Sequence, residues 1–228
     1  MKHNSVRRVG QICSVESPTR FQMFIIGVTG GVASGKSTVV NVLASLNVIT
    51  VNADTIGHKA YQQGTDCYNT LVAKFGEAII GDNGDINRRK LGEIVFSDSS
   101  KMVELTDIVW PEIRKLLVKE LEDIRDNEAS TGVPTFVALE AAVMIEAGWN
   151  DLVSTLWVLH VDPNVARSQL MARNNLSFDE ASKRISSQIS NDDRCKHATE
   201  VIYNDGSIEQ LEVKTRQLFR ETAQAKSA

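Results

Sequence analysis

The sequence predicts an α/β fold in which helices flank a parallel sheet of five strands. The first indication is five short apolar runs, at residues 24–29, 48–51, 137–139, 155–161 and 200–203. Runs that are apolar on both faces are typical of parallel strands covered by helices. The second indication is the helical pattern between the runs, since alternating strands and helices build βαβ units. The third is a glycine-rich segment directly after the first run.

The connections between the runs differ greatly in length. Residues 36–46 and 163–173 have helical patterns, and Pro163 suits the first turn of the second helix. Residues 55–130 are mostly helical but far longer than the dozen or so residues that a crossover needs. We therefore expect them to form a helical subdomain inserted beside the sheet. Pro111 interrupts this stretch, which predicts two helices that meet there.

Residues 174–198 form a polar segment between the fourth and fifth strands. Ser177 and Glu180 have the spacing of a capping box, and Ala181, Ile185 and Ile189 follow at helical spacing. A short polar helix with one thin apolar stripe is typical of a mobile lid. An ordinary surface helix is the alternative that this pattern leaves open.

Composition excludes several classes of protein. The net charge of −4 gives no overall basic field for nucleic acid, and no apolar run approaches the ~20 residues that span a bilayer. The three cysteines, Cys13, Cys67 and Cys195, are widely spaced and odd in number, so the sequence indicates neither a disulfide framework nor a zinc site. Reduced thiols in a cytoplasmic protein are the expected state.

Residues 1–23 are basic and precede the predicted α/β domain at 24–222. Lys2, Arg7, Arg8 and Arg20 are opposed by a single acid, Glu16. A disordered tail is the favoured interpretation, because short basic termini are commonly unstructured. A mitochondrial presequence is the alternative.

The glycine-rich segment matches the phosphate-binding motif GxxxxGK[ST] in full, with a strand pattern before it and a helix pattern after it. Backbone N–H groups of such a loop point at phosphate oxygens, and the helix N-terminus adds its positive dipole end. We expect Lys36 to reach the β and γ phosphates of ATP and the Ser37 hydroxyl to bind Mg²⁺. The motif predicts a P-loop kinase fold. The predicted ATP-binding residues are Gly30, Gly31, Val32, Ala33, Ser34, Gly35, Lys36, Ser37 and Thr38.

Asp54 follows the second predicted strand, at the edge of the sheet that faces the ligand crevice in open α/β folds. A carboxylate there could accept a proton from an attacking hydroxyl or help to hold Mg²⁺. The alternative is a helix N-cap for the segment that begins at Thr55. Residues 54–57 also spell DxxG, but the chain has no NKxD-type segment to bind guanine, so a small-molecule kinase is favoured over a GTPase.

Seven short segments carry a resemblance to a known family, at residues 26–38, 52–54, 75–76, 84–91, 95–96, 106–111 and 141–149. Together they resemble the dephospho-CoA kinase family over residues 24–220. The animal bifunctional CoA synthase branch is the most similar, through the segments at 106–111 and 141–149. The family phosphorylates the ribose 3′-hydroxyl of dephospho-CoA with ATP, which implies Mg-ATP and dephospho-CoA as ligands.

The resemblance implies a role for several residues. Asp54 matches the proposed base, Arg88 an arginine associated with the acceptor, and Arg173 a lid arginine that approaches the ATP phosphates. Asn204 falls in the region near adenine, and Glu146 is predicted as an acceptor-binding carboxylate. From the residues alone, each has another interpretation. These are a solvated helix charge for Arg88 and Glu146, a helix C-cap for Arg173 and a turn residue for Asn204.

Four positions depart from the family pattern. Asn52 stands where the family usually has Asp, Gln169 where it often has a lid arginine, and Trp110 and Thr199 replace His and Asp. The first two changes remove charges next to the phosphates. They leave two alternatives open: a nucleotide-binding regulator or scaffold with little catalysis, and a kinase of another small acceptor.

Overall fold

The computed structural model describes residues 23–128 and 135–227 of the chain. Residues 1–22 lie outside the described residues, and with them most of the predicted basic tail, the alternative presequence and Cys13. Residues 129–134, at the end of the predicted insertion, also lie outside them.

A sheet of five parallel strands forms the centre of the fold, as predicted. The strands are β1 (Phe24–Gly30), β2 (Ile49–Asn52), β3 (Phe136–Glu140), β4 (Thr155–His160) and β5 (Glu200–Tyr203). Their order across the sheet is β2-β3-β1-β4-β5. β1 is therefore central, and the chain moves to its two sides in turn, which makes the carboxyl end of β1 the switch point where ligands bind in such sheets.

The helices connect the strands and extend well beyond them. They are α1 (Lys36–Ala44), α2 (Ala53–Ala60), α3 (Asp66–Phe75), α4 (Arg88–Ser97), α5 (Ser99–Glu128), α6 (Pro163–Asn174), α7 (Phe178–Ser186), α8 (Asn191–Cys195) and α9 (Ile208–Ser227). Two short 3₁₀ turns lie at Glu77–Ile79 and Trp149–Leu152. None of the helices in the described ranges is long and apolar enough to cross a membrane.

Two hydrophobic cores cover the two faces of the sheet. On one face, Val39 and Leu43 of α1 and Leu211 of α9 pack with strand residues such as Ile26 and Leu159. On the other face, helices α2 to α5 pack with the other side chains of the sheet, among them Leu139 and Val158. Residues 55–128 thus form a helical layer beside the sheet, where the sequence predicts an inserted subdomain.

Pro111 lies inside the single 30-residue helix α5, so the prediction of two helices that meet there is wrong. A proline in a helix interior removes one hydrogen bond to the carbonyl four residues earlier and crowds it. Val109, Ile113 and Leu117 of the same helix are buried in the core around the proline. Burial of this apolar face outweighs the lost hydrogen bond, and the helix continues.

The predicted lid segment, 174–198, contains α7 and α8. The capping box is present: Ser177 Oγ accepts from the backbone N–H of Glu180, and the Glu180 carboxylate accepts from the backbone N–H of Ser177. Ala181 is the buried residue of α7, Ile185 is half-buried, Phe178 is exposed, and the other side chains of the helix are polar and mostly exposed. A lid function for this segment stays a prediction.

Candidate active site

The polar residues singled out above lie near the carboxyl ends of the parallel strands. The phosphate-binding loop follows β1, Asp54 follows β2, Glu146 follows β3 and Asn204 follows β5. Parallel strands end at the same edge of a sheet, so these segments come from distant parts of the chain to one crevice.

Glycine is required at two positions of the loop, Gly30 and Gly35. A Cβ on Gly30 would lie 2.8 Å from the carbonyl oxygen of Leu159, and a Cβ on Gly35 would lie 2.8 Å from Asn204 Nδ2. Gly35 also has a φ of 95°, in the left-handed region that favours glycine. These contacts give the physical reason for both glycines of the motif.

The Lys36 ammonium contacts the first residues of its own loop. Its Nζ donates to the carbonyl oxygens of Gly30, at 2.9 Å, and Gly31, at 3.0 Å. Burial lowers the pKa of Lys36, because the charged form is poorly solvated there. The carboxylates of Glu140 and Asp54 act against this shift and raise the pKa. Two acidic side chains are therefore close enough to influence the lysine that is expected to bind phosphate.

A cavity of about 600 Å³ opens beside the loop and contains most of the predicted nucleotide site. Arg173, near the end of α6, lines this cavity together with the loop. Asn204 also lines it and contacts the loop directly, since its Nδ2 donates to the carbonyl oxygen of Ser34 at 3.0 Å. The lining residues are Ala33, Ser34, Gly35, Lys36, Ser37, Thr38, Gln169, Ala172, Arg173, Asn204, Gly206, Ile208 and Leu211.

Asp54 does not cap a helix, so the N-cap alternative for it is wrong. Helix α2 begins at Ala53, and its N-cap is Asn52, whose side-chain oxygen accepts from the Thr55 N–H at 2.9 Å. Asp54 lies in the first turn with its side chain exposed to the crevice. The geometry leaves its carboxylate available for chemistry.

Asp54 and Arg88 line a second cavity, a largely apolar groove of about 470 Å³. Arg88 is the first residue of α4, which Asn87 caps by accepting from the N–H groups of Arg89 and Lys90. The Arg88 guanidinium lies directly against the imidazole of His58, which also lines the groove. The apolar lining includes Ala53, Leu91, Val95, Phe96, Met102, Leu105, Val109, Trp110, Ile113, Val143 and Trp149.

Glu140 is a site residue that the sequence reasoning missed. It is the last residue of β3, and its Oε2 accepts from Asn52 Nδ2 at 2.9 Å. Burial raises the pKa of Glu140, and the nearby Lys36 lowers it in part. The signal was available, because an acid that directly follows an apolar run lies at the same sheet edge as Asp54.

Glu146 forms an ion pair with Arg194, a fully buried residue of α8. Arg194 Nη2 lies 3.4 Å from Glu146 Oε1, and Nη1 donates to the carbonyl oxygen of Ala142 at 3.2 Å. Glu146 lies in the turns between β3 and Trp149, so its interpretation as a helix charge is wrong. Acceptor binding by Glu146 stays a prediction, since other residues line the groove. Arg194 was not singled out in the sequence, where it is one of many basic residues in a polar segment.

Comparison with known proteins decides the family. The model of the dephospho-CoA kinase family matches residues 24–210. The chain belongs to the dephospho-CoA kinase family. A protein of that name from Bacillus licheniformis is 40% identical over 195 residues, which cover 86% of this chain and 94% of the relative. Another from Geobacter sulfurreducens is 39% identical over 197 residues, which cover 86% of this chain and 98% of the relative.

Dephospho-CoA kinase family membership confirms the resemblance, and a solved structure agrees with the fold. The crystal structure of a Thermus thermophilus protein matches with a TM-score of 0.71 and 32% sequence identity, over 87% of this chain and 97% of that one. The P-loop kinase fold is thus confirmed. The likeness to the animal branch stays a prediction, because these relatives are bacterial.

Proposed function

We propose that this chain transfers the γ-phosphoryl group of ATP to the ribose 3′-hydroxyl of dephospho-CoA, which gives CoA and ADP. One observation carries the proposal: the phosphate-binding loop with Lys36 and the groove lined by Asp54 lie at the same edge of the sheet, and the Asp54 carboxylate raises the pKa of Lys36. A nucleotide cavity and an acceptor groove at this edge would supply the cation and the base that phosphoryl transfer needs. The family and the named relatives supply the identity of the acceptor.

The loop side of the site has the groups that bind a triphosphate. Its main-chain N–H groups and the N-terminus of α1 provide donors and a positive dipole end. Lys36 and Arg173 provide charge that can offset the negative charge on the transferred group. Arg173 is exposed at the cavity wall, so it can approach the phosphates by side-chain motion alone.

The acceptor side suits a long molecule with both charged and apolar parts. His58, Tyr61 and Arg88 line the apolar groove and also a neighbouring polar cavity of about 560 Å³. Arg88 thus lies between an apolar surface and a polar one. Dephospho-CoA has phosphates and an adenosine at one end and an extended chain at the other, and this pair of cavities can take both.

The donor set beside the loop fits Mg²⁺. Mg²⁺ prefers hard oxygen ligands and is usually held by one or two carboxylates together with substrate phosphates. The Ser37 hydroxyl, at the start of α1, and the carboxylates of Asp54 and Glu140 provide such oxygens near Lys36. The ion would neutralise charge on the phosphates when it is bound.

Asp54 is assigned as the general base. The hydroxyl oxygen of the acceptor forms a bond to the γ-phosphorus while the bond between that phosphorus and the β–γ bridging oxygen breaks. The hydroxyl proton passes to the Asp54 carboxylate, and ADP leaves with the bridging oxygen. Closure of the segment 174–198 would exclude water, which otherwise competes for the phosphoryl group.

A catalytically weak nucleotide-binding scaffold is the second candidate, because Asn52 and Gln169 lack the charges that the family usually has. The hydrogen bond between Asn52 and Glu140 weighs against it, since that edge of the sheet keeps a carboxylate. The test is ADP release by the purified chain with Mg-ATP, with and without dephospho-CoA. Acceptor-dependent release supports the kinase, and ATP binding without such release supports the scaffold. Release that depends instead on another nucleoside in the same assay would identify a different acceptor.

Two variants test the assigned residues in the same assay. Lys36→Ala should lose most activity, and near-normal turnover would refute the loop as the catalytic site. Asp54→Asn should lower kcat by about 10²–10⁴-fold if Asp54 is the base. Asp66→Asn is the matched control, because Asp66 is likewise an exposed acid in the first turn of its helix, α3. If Asp54→Asn and Asp66→Asn changed kcat equally, Asp54 would act only as a favourable charge at the N-terminus of its helix.

The same proposal includes the setting of the protein. We expect ATP and dephospho-CoA as ligands, no nucleic-acid partner, and action in the cytoplasm. Import into mitochondria is the alternative that the basic terminal residues raise. No protein partner is proposed.

A further inference from the structure

Ala33 holds an unusual backbone conformation in the middle of the phosphate-binding loop. Its φ is 59°, in the left-handed region. The other non-glycine residues with positive φ in the described ranges are Asn47 and Asn175, and asparagine tolerates this region because its side chain can hydrogen-bond locally. Alanine has no such help. A strained residue of this kind persists only where its surroundings hold it.

Side-chain amides from two distant segments bind the residues on either side of Ala33. On one side, the Val32 N–H donates to Gln188 Oε1 at 2.9 Å. On the other, Asn204 Nδ2 donates to the Ser34 carbonyl oxygen at 3.0 Å. The two hydrogen bonds hold the Gly31–Val32 and Ser34–Gly35 peptide groups, which lie one peptide away from Ala33 on either side, and the Ser34 N–H donates to the Gly31 carbonyl oxygen at 3.3 Å across the same turn.

Gln188 lies near the end of the predicted lid segment, where Asn191 and Arg194 hydrogen-bond to carbonyl groups just beyond two strands. Asn191 Nδ2 donates to the carbonyl oxygen of Val161, at 2.7 Å, just beyond β4. Arg194, which is fully buried, has its Nη2 3.5 Å from the carbonyl oxygen of Ile189 and its Nη1 3.2 Å from that of Ala142. The Gln188 side chain is thus presented to the loop from a surface that is tied to the ends of two strands.

We propose that Gln188 is a positioning residue for ATP binding, because its side-chain oxygen holds the Val32 N–H at the start of the turn that contains Ala33 and so supports the left-handed conformation that shapes the loop. The proposal rests on nucleotide binding by the loop and is independent of the acceptor. Gln188 acts through the backbone of Val32 and Ala33. It also connects the predicted lid segment to the loop, so the position of residues 174–198 and the shape of the phosphate site depend on each other.

The test is a double-mutant cycle on Mg-ATP binding, measured by calorimetry without acceptor. Gln188→Met keeps the length of the side chain and removes the acceptor, and should weaken binding by about 3-fold to 10-fold, the range expected for one neutral hydrogen bond. In an Ala33→Gly background the left-handed residue no longer needs support. There the same substitution should weaken binding by less than about 2-fold. Ser187→Ala is the matched control, since the Ser187 hydroxyl donates to the Arg184 carbonyl within the helix and should leave binding unchanged.

Two results would overturn the proposal. One is unchanged Mg-ATP affinity in Gln188→Met. The other is an equal loss of Mg-ATP affinity on Gln188→Met whether residue 33 is alanine or glycine. A general disturbance of the lid would give that result, because it would not depend on residue 33. Gln188→Asn, one methylene too short to reach Val32, repeats the test if the methionine variant does not fold. In active variants, the KM for ATP should rise while the KM for the acceptor stays within about 2-fold of its original value.

Discussion

The side chain of Asn52 donates a hydrogen bond to the carboxylate of Glu140, with 2.9 Å between Asn52 Nδ2 and Glu140 Oε2. The two residues are register partners at the ends of the neighbouring parallel strands β2 and β3. The side-chain oxygen of Asn52 caps α2 by accepting from the Thr55 N–H. One neutral side chain thus satisfies a carboxylate and a helix N-terminus together, and the negative charge of this residue pair lies on Glu140.

Asn52→Asp should destabilise the protein at neutral and alkaline pH. Aspartate can still cap α2, but it cannot donate to Glu140 and places a second negative charge beside it. A part-buried acceptor that loses its donor costs about 1–3 kcal/mol. Because one member of a carboxylate pair takes up a proton more easily, the effect should shrink as the pH falls. The free energy of unfolding from urea titrations at several pH values tests this. Asn69→Asp, at an exposed position of α3, is the control, and an effect independent of pH would contradict the explanation.

At pH values above the ordinary carboxyl pKa, Glu140→Gln should make the protein more stable and less active. Burial disfavours the charged form of Glu140 and holds its folded-state pKa above the ordinary glutamate value. Between the two pKa values the folded state binds more protons than the unfolded state, so this group makes stability fall as pH rises through that window. Glutamine cannot ionise, and its side-chain oxygen can still accept from Asn52.

The measurement for Glu140→Gln is the difference in free energy of unfolding from the original protein as a function of pH. The difference should grow in favour of the variant through the window above pH 4.5 and level off beyond it. Turnover with Mg-ATP should fall by about 10-fold to 100-fold, as for residues that support a metal–phosphate site. A variant that is less stable at pH 8 would show that the Glu140 charge is favourable in the folded protein.

The buried ion pair of Arg194 and Glu146 should be more important for stability than an exposed pair. Arg194 is fully buried, and its Nε and Glu146 Oε2 have no hydrogen-bond partner among the described residues. Removing one partner of a buried pair leaves an uncompensated charge, so Glu146→Leu should destabilise by about 3–5 kcal/mol. Adding Arg194→Met should recover part of that loss, because the double variant buries no charge.

Urea titrations of both single variants and the double variant would measure this coupling. The exposed pair Lys196–Asp193 provides the control, and Lys196→Ala should change stability by no more than about 1 kcal/mol. Strictly additive effects of the two substitutions in the buried pair would mean that the side chains do not interact. If Lys196→Ala lowered the free energy of unfolding as much as Glu146→Leu, the effect would come from charge in this segment and would not require burial.

The strands, the loop and Asp54 could be predicted because local patterns determine them. A buried parallel strand is apolar on both faces, and the phosphate-binding loop needs glycine where Gly30 and Gly35 approach other backbone and side-chain atoms. The predicted strand at 200–203 has the bounds of β5. Such features depend on residues that are close in sequence, and the residue types identify them.

Contacts between distant segments could not be predicted in the same way. Gln188 and Val32 are 156 residues apart, and Arg194 and Ala142 are 52 apart, so neither contact leaves a local pattern. At Pro111 the local pattern was present, but the prediction drawn from it was wrong. Its local preference against a helix interior is real, but the helix packs on both sides of it, and burial of Val109 and Ile113 outweighs that preference. Tertiary packing therefore determines both the long-range contacts and the continuous helix at Pro111.

Arg88 should determine the affinity for the acceptor more than the rate of transfer. Its guanidinium lies against His58 at the junction of the apolar groove and the neighbouring polar cavity, and it can donate charge-assisted hydrogen bonds to a phosphate there. A hydrogen bond to a charged group contributes about 1.5–3 kcal/mol. Arg88→Met should therefore raise the KM for dephospho-CoA by about 10-fold to 100-fold, with a smaller effect on kcat and on the KM for ATP.

Arg89→Met is the matched control for this last substitution. Arg89 is the next residue of the same helix, its side chain is 88% exposed, and it pairs with Glu93 on the surface. The control should change the KM for dephospho-CoA by less than about 2-fold, since an exposed pair of this kind contributes little. Steady-state kinetics with each substrate varied in turn separate the two KM values. If Arg88→Met instead lowered kcat with both KM values unchanged, Arg88 would act on the transition state, and the acceptor would have to bind elsewhere along the groove.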